Sequence, residues 1–292
     1  MALERRIARI VSVPPLTPGF VGRGHLAARV VAHEDFRLND PFIMLADDHL
    51  DIDDRPLGEP HPHAGFETVT LILDGAIYDR DEGGVINAGE VQWMTAGRGI
   101  IHGEAMGAKG KVRLLQLWLT LPKNERWTTP GFQTIHADAV PVRREPGAEV
   151  RLYSGASGDL RSATRNHVPV TLAEITLDPH ASVDQEIPAS YNGFVFPVRG
   201  SVRIGGGDDV VAPGQVGWLD RPDAGGPSVL HVVAGGEGAR VVLYAGQPQG
   251  DAIVSYGPFI GDRQEDIARL LREYRAGQFV RMSTLARERH SA

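Results

Sequence analysis

Short apolar runs, many of them alternating with polar residues, recur along the whole chain. Residues i and i+2 of a β-strand lie on the same face, so this period of two is typical of half-buried strands. β-branched and aromatic residues, which strands favour, are frequent in these runs. The clearest runs are residues 67–73, 112–121, 168–176, 194–198, 229–233 and 240–244. Because Gly and Pro separate many short strands, the pattern predicts an all-β barrel or sandwich.

The two halves of the chain repeat the same order of elements. Residues 68–75 form a predicted strand that ends in Gly, and after a turn-rich segment residues 88–91 read Ala-Gly-Glu-Val. Residues 194–200 and 212–218 repeat this order about 125 residues later, which is too long a period for a solenoid repeat. The repeat therefore predicts a duplicated domain.

Loop-like sequence near residue 130 separates the two copies. We expect a first domain at residues 1–130, a second at residues 131–250 and a C-terminal segment at residues 251–292. Residues 262–277 have the helical spacing i, i+3, i+4 and i+7, with an Asp as predicted N-cap and a Gly as predicted C′ residue. The predicted apolar stripe consists of Ile267, Leu270, Leu271 and Tyr274. We expect this helix to pack against the barrels without a chemical role.

Composition excludes several classes of protein. Of the 292 residues, 42% are hydrophobic and 23% are charged, which is ordinary for a globular protein and too apolar for a disordered one. The net charge of −7 disfavours direct binding to nucleic acid. The chain has no Cys, which removes disulfides and thiolate sites, and its apolar runs are too short to predict a membrane span or a signal peptide. We expect a cytoplasmic protein whose chemistry comes from His, carboxylates or a bound cofactor.

Two residue pairs with a spacing of two carry the candidate chemistry. His61 and His63 flank a Pro, and His102 and Glu104 flank a Gly. On strands, the members of each pair project from one face about 7 Å apart at the backbone. If a barrel brings the pairs together, three imidazoles and one carboxylate meet at one interior point. This spacing predicts a metal site, and a sulfur-free ligand set suits Fe(II), Mn, Co, Ni, Cu or Zn.

The other His residues carry no such pattern. A lone His on a strand is usually solvated or hydrogen-bonded, so we predict surface or structural roles for them. They are His25, His33, His49, His136, His167, His180, His231 and His290.

The candidate metal-binding segments resemble the pirin family of bicupins. Residues 61–75 and 91–104 carry the strongest similarity, and residues 40–45, 114–122 and 256–259 extend it over nearly the whole chain. The resemblance implies two tandem cupin barrels, each a double-stranded β-helix or jelly roll, with a C-terminal helix. It also implies that the first barrel is the metal-binding cupin.

In pirins the first cupin holds iron through three His and one Glu, which fall on His61, His63, His102 and Glu104. Fe(II) as the metal is therefore implied by the resemblance alone. General cupin motifs place a Glu ligand near the position of Glu67, so Glu67 competes with Glu104 for the fourth place. The pirin pattern favours Glu104 as the ligand, with Glu67 as either a supporting carboxylate, of the kind that commonly fixes the orientation of an imidazole, or a polar residue that lines the site.

The second copy departs from this pattern. Residues 178–186 contain only His180 and no His-x-His, and residues 218–221 contain no His-x-Glu. We therefore expect the second cupin to be degenerate, without a metal, and to serve as structure or interface.

The resemblance implies a quercetin 2,3-dioxygenase-like oxidoreductase that opens flavonols with O2. Glu104 would then be both a metal ligand and the base that takes the proton of the substrate hydroxyl. Aromatic and aliphatic residues would line the mouth of the site, although each is equally well explained as ordinary barrel core. These residues are Phe42, Met44, Phe66 and Met94.

Other functions remain open at the level of sequence. One is a non-catalytic, redox-responsive iron-binding protein that acts through protein–protein contacts. A metal-dependent isomerase or hydrolase of the wider cupin group is another. The first of these requires a protein partner, whereas the dioxygenase requires a small aromatic substrate and O2.

Overall fold

The structure is a computed structural model that describes residues 2–32, 36–56, 59–79, 84–103, 106–222 and 225–290. The first fourteen strands are β1 (Leu3–Glu4), β2 (Ile7–Ser12), β3 (Thr17–Pro18), β4 (His25–Val31), β5 (Phe42–Pro56), β6 (His61–His63), β7 (Phe66–Asp74), β8 (Ala76–Asp79), β9 (Gly84–Asn87), β10 (Val91–Thr95), β11 (Ile100–His102), β12 (Met106–Thr120), β13 (Gly131–Ile135) and β14 (Val142–Glu145). The next fourteen are β15 (Ala148–Ser154), β16 (Ala156–Ser157), β17 (Leu160–Arg161), β18 (Val170–Leu177), β19 (Ser182–Pro188), β20 (Asn192–Arg199), β21 (Val202–Ile204), β22 (Val210–Val211), β23 (Gln215–Leu219), β24 (Pro227–Ala234), β25 (Ala239–Gly246), β26 (Val254–Tyr256), β27 (Phe259–Gly261) and β28 (Val280–Arg281). The helices are α1 (Phe36–Asn39), α2 (Gln264–Arg275) and α3 (Met282–His290). The predicted all-β fold is confirmed.

The chain divides into two compact units. The first barrel unit comprises Pro15–Leu38, Phe42–Asp138 and Gln249–Ala292, and the second barrel unit comprises Met1–Pro14, Asn39–Pro41 and Ala139–Pro248. The breaks after residues 138 and 248 lie near the boundaries expected at residues 130 and 250. Residues 1–14 fall in the second unit because β1 pairs with β24 and β2 pairs with β23.

The first barrel unit contains two sheets that matter for the site. The larger has the order β13-β10-β7-β12-β5-β4-β3, with β8 and β9 attached beside β12. The smaller has the order β28-β11-β6. Period-two alternation places Ile72 and Leu114, which are opposite each other on β7 and β12, in a buried apolar cluster at one end of the unit. The small sheet carries the His pairs at another place in the same unit.

Helix α2 lies inside the predicted range of residues 262–277, but its N-cap is Arg263, one residue later than the predicted Asp262. The carboxylate of Asp266 accepts the backbone N–H groups of Asp262 and Arg263, at 3.1 and 3.2 Å, and the side chain of Asp262 instead binds Arg126 at 2.7 Å. Gly277 has φ +68° just after the helix, as predicted for the C′ residue. The apolar stripe packs with Ala64, Phe259 and Phe279. None of the helices in the described residues is long and apolar enough to cross a membrane.

The second barrel unit packs two sheets around an apolar core. One sheet has the order β14-β15-β18-β25-β20-β23-β2, and the other has β1-β24-β21-β22 with β19 beside β24. Side chains from both sheets form one buried cluster, which includes Leu152, Val195, Leu230 and Leu243. Burial of these side chains is the main source of this unit's stability.

Candidate metal centre

Three His side chains converge where β6 and β11 pair as antiparallel strands. His61 lies opposite His102, and His63 lies opposite Ile100. Residues that face each other across a strand pair share a face, as do residues i and i+2, so all three imidazoles project from one face of the small sheet. The structure thus brings together three of the four residues that the spacing selected.

The imidazoles are close enough to bind one ion. One ring nitrogen from each of His61, His63 and His102 lies within 4.8 Å of the others. The ring centroids are 4.9 Å apart for His61 and His63, 4.4 Å for His61 and His102, and 4.9 Å for His63 and His102. Imidazole nitrogens about 2 Å from a common transition metal ion must lie within such distances of one another.

Glycines hold the turns that follow the His residues. Gly65 has φ +88°, and a Cβ at this position would collide with the carbonyl oxygen of Ile260. That approach is fixed by an N–H of Ala64 donated to Pro258 and an N–H of Ile260 donated to Ala64, at 3.2 and 2.9 Å. Gly103 has φ +87° directly after His102. Both turns use backbone conformations that residues with a Cβ rarely adopt.

Burial keeps the imidazoles neutral. Burial lowers the pKa of His61, partly offset by its hydrogen bond to the Glu59 carbonyl. Burial, followed by the nearby His102 and His61, lowers the pKa of His63 well below its usual range. Burial and His61 lower the pKa of His102 to about 3. Neutral imidazoles have the lone pair that a metal ion requires, so the cluster needs no deprotonation near neutral pH to act as a ligand set.

The hydrogen bonds of the cluster leave nitrogens available for a metal ion. Within the described residues, Nδ1 of His63 and both ring nitrogens of His102 are buried without a hydrogen-bond partner. Nδ1 of His61 lies 3.0 Å from the carbonyl oxygen of Glu59. A carbonyl only accepts, so Nδ1 of His61 carries the proton and Nε2 keeps the lone pair. Buried nitrogens without a partner are costly in an empty core, and a metal ion satisfies them.

Aromatic side chains form one wall of the cluster. The ring of Phe66 lies 5.2 Å from that of His63, and the ring of Trp118 lies 5.5 Å from it. Phe66 and Trp118 also contact each other at 4.4 Å between ring centroids. Phe66 is fully buried, whereas Trp118 is only partly buried. The two rings cover one side of the His63 imidazole.

Comparison with known proteins agrees with this fold. Residues 25–119 match the Pirin family, and residues 172–280 match the pirin C-terminal cupin domain. Pirin-like protein 2 of Arabidopsis thaliana is 35% identical over 264 residues, covering 88% of this chain and 81% of the relative. The chain belongs to the pirin family. The resemblance inferred from the His-bearing segments is thereby confirmed, together with the pirin arrangement of two tandem cupin domains.

Solved structures share the pirin fold at lower sequence identity. A quercetin 2,3-dioxygenase from Acinetobacter baumannii superposes with a TM-score of 0.80 at 24% identity, covering 94% of this chain and 98% of that one. The bacterial pirin YhhW from Escherichia coli, in complex with nickel(II), superposes with a TM-score of 0.60 at 20% identity, covering 82% of this chain and 99% of that one.

The structure describes only one of the two candidate carboxylate ligands of this pirin. Glu104 lies outside the described residues, directly after Gly103. Glu67 lies on β7 and is fully buried, and its Oε1 accepts the hydroxyl of Thr95 at 2.7 Å. Its neighbour Phe66 faces His63, so the side chain of Glu67 leaves the opposite face of the strand. This orientation favours a structural role for Glu67.

The residues predicted to line the mouth divide between core and site. Phe42 is fully buried, and Met94 packs in a cluster with Phe132 and Met282. Phe66 contacts His63, and the partly buried Met44 packs against the cluster that contains Phe66. Sequence reasoning did not single out Trp118, because an aromatic residue in a long apolar strand looks like ordinary core. The sequence does contain one signal for Trp118. Gln116 lies two residues earlier on the same face of the strand, and a polar residue there indicates a polar inner face.

A row of polar side chains crosses the sheet beside the aromatic wall. Thr70 on β7 lies opposite Gln92 on β10 and Gln116 on β12. The hydroxyl of Thr70 donates to Oε1 of Gln116 at 2.8 Å. Nε2 of Gln92 is buried without a hydrogen-bond partner among the described residues. Trp118 follows Gln116 by two positions, so the row lies on the same face as the ring that contacts His63.

Several of the remaining His residues lie beside carboxylates, as expected for structural roles. His25, His49, His136 and His231 pair with Asp48, Asp47, Glu90 and Asp184, respectively. His33 lies outside the described residues.

Proposed function

We propose that this pirin is a metal-dependent dioxygenase that opens flavonols such as quercetin with O2. The proposed site is mononuclear, with iron held by His61, His63, His102 and Glu104. The observation that carries the proposal is the convergence of three neutral, partly unpartnered imidazoles beside an aromatic wall. The quercetin 2,3-dioxygenase among its structural neighbours supports the same reaction class.

Each residue of the site has a distinct task in this proposal. The three His residues hold the ion, and the Glu59 carbonyl fixes the orientation of the His61 ring. When bound, the metal supplies Lewis acidity and open coordination positions, which a closed structural site lacks. Glu104 completes the ligand set and accepts the proton of the substrate hydroxyl.

The surroundings suit a flat, hydroxylated aromatic substrate. Trp118, which is only partly buried, offers ring surface beside His63, and the fully buried Phe66 packs against both rings. Gln92 and Gln116 lie on the same inner face and supply amide groups for substrate hydroxyl or carbonyl oxygens. A site with apolar walls and a few convergent polar groups is typical of small-molecule binding.

Metal reconstitution tests the proposal. The metal-free protein is loaded with Fe(II), or with Mn, Co, Ni, Cu or Zn, and mixed with quercetin under air. We expect loss of the long-wavelength absorbance of quercetin together with O2 consumption, and incorporation of both atoms of 18O2 into products. His61→Ala provides the inactive control, and His231→Ala provides a control that leaves the site intact.

Two results would contradict the dioxygenase proposal. One is a metal-loaded protein that consumes neither quercetin nor O2 with any of the six metals. The other is turnover that persists in His61→Ala. If turnover is absent while capture of a protein partner depends on the iron oxidation state, the redox-responsive interaction function replaces the enzyme.

A further inference from the structure

Phe20 is an exposed aromatic side chain that touches the metal-binding cluster. The residue is 79% exposed, yet its ring lies 5.9 Å from the ring of His61 and 5.5 Å from that of His25, edge-on in both cases. Phe20 therefore stands at the rim of the site, where one face of its ring is open.

The turn that carries Phe20 is closed by backbone hydrogen bonds. The N–H of Gly19 donates to the carbonyl of His25 at 2.9 Å, and the N–H of His25 donates to the carbonyl of Gly22 at 3.0 Å. Gly22 and Gly24 have φ +88° and +84°, which allow the chain to reverse within a few residues. The turn thus presents Phe20 in a defined place.

The His25 ring anchors this turn from beneath. A Cβ at Gly19 would collide with the His25 ring, so the backbone lies directly on the imidazole. The N–H of Val21 donates to Nδ1 of His25 at 3.2 Å, and Nε2 lies 2.7 Å from the carboxylate of Asp48. Because Nδ1 of His25 accepts a hydrogen bond, Nε2 carries the proton and donates a hydrogen bond to the carboxylate of Asp48. These two bonds fix the rotation of the ring and hence the position of the turn.

Two aromatic rings flank the imidazole cluster. Phe20 contacts His61, and Trp118 contacts His63 at 5.5 Å. Both rings have accessible surface, unlike the fully buried Phe66. A flat aromatic ligand that reaches the three His residues would meet both rings, and offset or edge-on aromatic contacts are favourable.

We propose that Phe20 is a specificity-determining residue that positions a planar, hydroxylated aromatic substrate at the His61–His63–His102 cluster, and that His25 and Asp48 are positioning residues that hold the Phe20 turn. This inference rests on the proposed function for the identity of the substrate. Phe20 contributes binding that is equal in the ground state and the transition state, so its loss raises KM and leaves kcat nearly unchanged.

The test compares five variants of the Fe(II)-loaded protein with the wild type. Quercetin binding is measured by calorimetry without O2, and KM and kcat are measured separately under air. We expect Phe20→Ala to raise Kd and KM about tenfold, from the lost aromatic contact and burial, with kcat within about twofold of the wild type. Phe20→Trp should restore both values to within about threefold. Metal content should be equal in all variants.

Three further variants separate positioning from general damage. Leu26→Ala removes another exposed apolar side chain, next to His25 on β4 but on the opposite face, and should leave Kd and KM unchanged. His25→Ala should raise KM while retaining metal, and the double variant with Phe20→Ala should be no worse than Phe20→Ala alone, since His25 acts through Phe20.

The outcomes distinguish this inference from the proposed function. Normal quercetin affinity in Phe20→Ala, with an active wild type, overturns the role of Phe20 and leaves the dioxygenase intact. Quercetin binding without turnover overturns the dioxygenase, while the change in Kd still decides the role of Phe20. A wild type that binds no quercetin overturns both.

Discussion

The two barrel units have matching orders of strands, but different side chains line their inner faces. In the first unit, β6 pairs with β11 and carries His61 and His63; in the second, β19 pairs with β24 and has Val183, Gln185 and Ile187 as its buried positions. Gln185 is fully buried and its side chain is bonded to Ser157 and to the backbone. The second unit thus satisfies its inner face with apolar contacts and local hydrogen bonds, whereas the first leaves imidazole nitrogens available.

A second contrast between the units lies on the next strand along the chain, β7 in the first unit and β20 in the second. Strand β7 lies between β10 and β12, and β20 lies between β23 and β25. The corresponding cross-strand rows are Thr70, Gln92 and Gln116 in the first unit and Val195, Gly217 and Leu243 in the second. The first row is polar, and the second has Val195 and Leu243 in a continuous apolar core.

The difference between the two inner faces affects how much each contributes to the stability of the fold. An apolar inner face gains free energy in proportion to the area it buries, while buried polar groups must find partners to avoid a cost. The inner face of the second unit is mostly apolar, so its burial stabilises the folded state. The first unit gives up part of that gain at the positions to which the proposed function assigns a metal and a substrate.

The largest expected effect is the loss of metal from the first unit. His61→Ala and His102→Ala each remove one of three converging ligands, so metal affinity should fall by more than about 100-fold, the upper range for removal of a merely supporting group. Metal analysis after gel filtration measures this. His231→Ala, on β24 beside Asp184, is the matched change in the second unit and should leave metal content unaltered. Equal metal content in all three variants would remove the site assignment.

The cores should differ in their response to truncation. Leu243 is fully buried in the apolar cluster, so Leu243→Ala should lower the free energy of unfolding by about 3 kcal/mol. Gln116→Ala, at the corresponding position of the first unit, loses the hydrogen bond from Thr70 and should cost about 1 kcal/mol. Urea unfolding of the metal-free protein measures both. Equal losses would mean that the two inner faces contribute alike.

The sequence was sufficient for features that depend on local periodicity. The all-β fold, helix α2 and Gly277 follow from spacings of two, or of three and four, within a single element. His61 and His63 stood out because a strand puts residues i and i+2 on one face. Their meeting with His102 could be expected because barrels pair distant strands, and the structure brings those three rings together.

Features that depend on pairing between distant segments were not predictable in this way. Nothing in residues 1–14 indicates that β1 and β2 pair with strands more than 200 residues away. Asp262 has the sequence of an N-cap, but it is bound by the buried Arg126, whose partner no local pattern identifies. Phe20 has no periodic context at all, since it lies in a turn.

The role of Glu67 offers a sharper test of the first unit. Its carboxylate accepts the Thr95 hydroxyl on the strand face opposite Phe66, so Glu67→Gln should bind as much metal as the wild type. The neutral amide forms weaker hydrogen bonds than a carboxylate, so the free energy of unfolding should fall by about 1–2 kcal/mol. Metal titration and urea unfolding measure the two effects. A loss of metal as large as that in His61→Ala would instead make Glu67 a ligand.

The smallest expected effect concerns one hairpin turn that the units build with different residues. In the first unit, Oε2 of Glu90 accepts the N–H of Asn87 at 2.8 Å; in the second, Oε1 of Gln215 accepts the N–H of Ala212 at 3.0 Å. Burial raises the pKa of Glu90, but hydrogen bonds from Asn87 and Ala137 and the neighbouring His136 outweigh burial, so the pKa lies below its ordinary value of 4.5.

A carboxyl group with a lowered pKa stabilises the folded state above its ordinary pKa, and this contribution is lost as the pH falls through the lowered value. Glu90→Gln, which installs the residue of the second unit, should therefore cost about 1 kcal/mol at pH 7 and less than that near pH 3. Urea unfolding of the metal-free protein at both pH values measures the difference, without a contribution from metal release. Gln215→Glu is the reciprocal variant and should make the second turn pH-dependent. A cost of Glu90→Gln that is the same at both pH values would show that the charge of Glu90 contributes nothing, and that the two turns are equivalent despite their different residues.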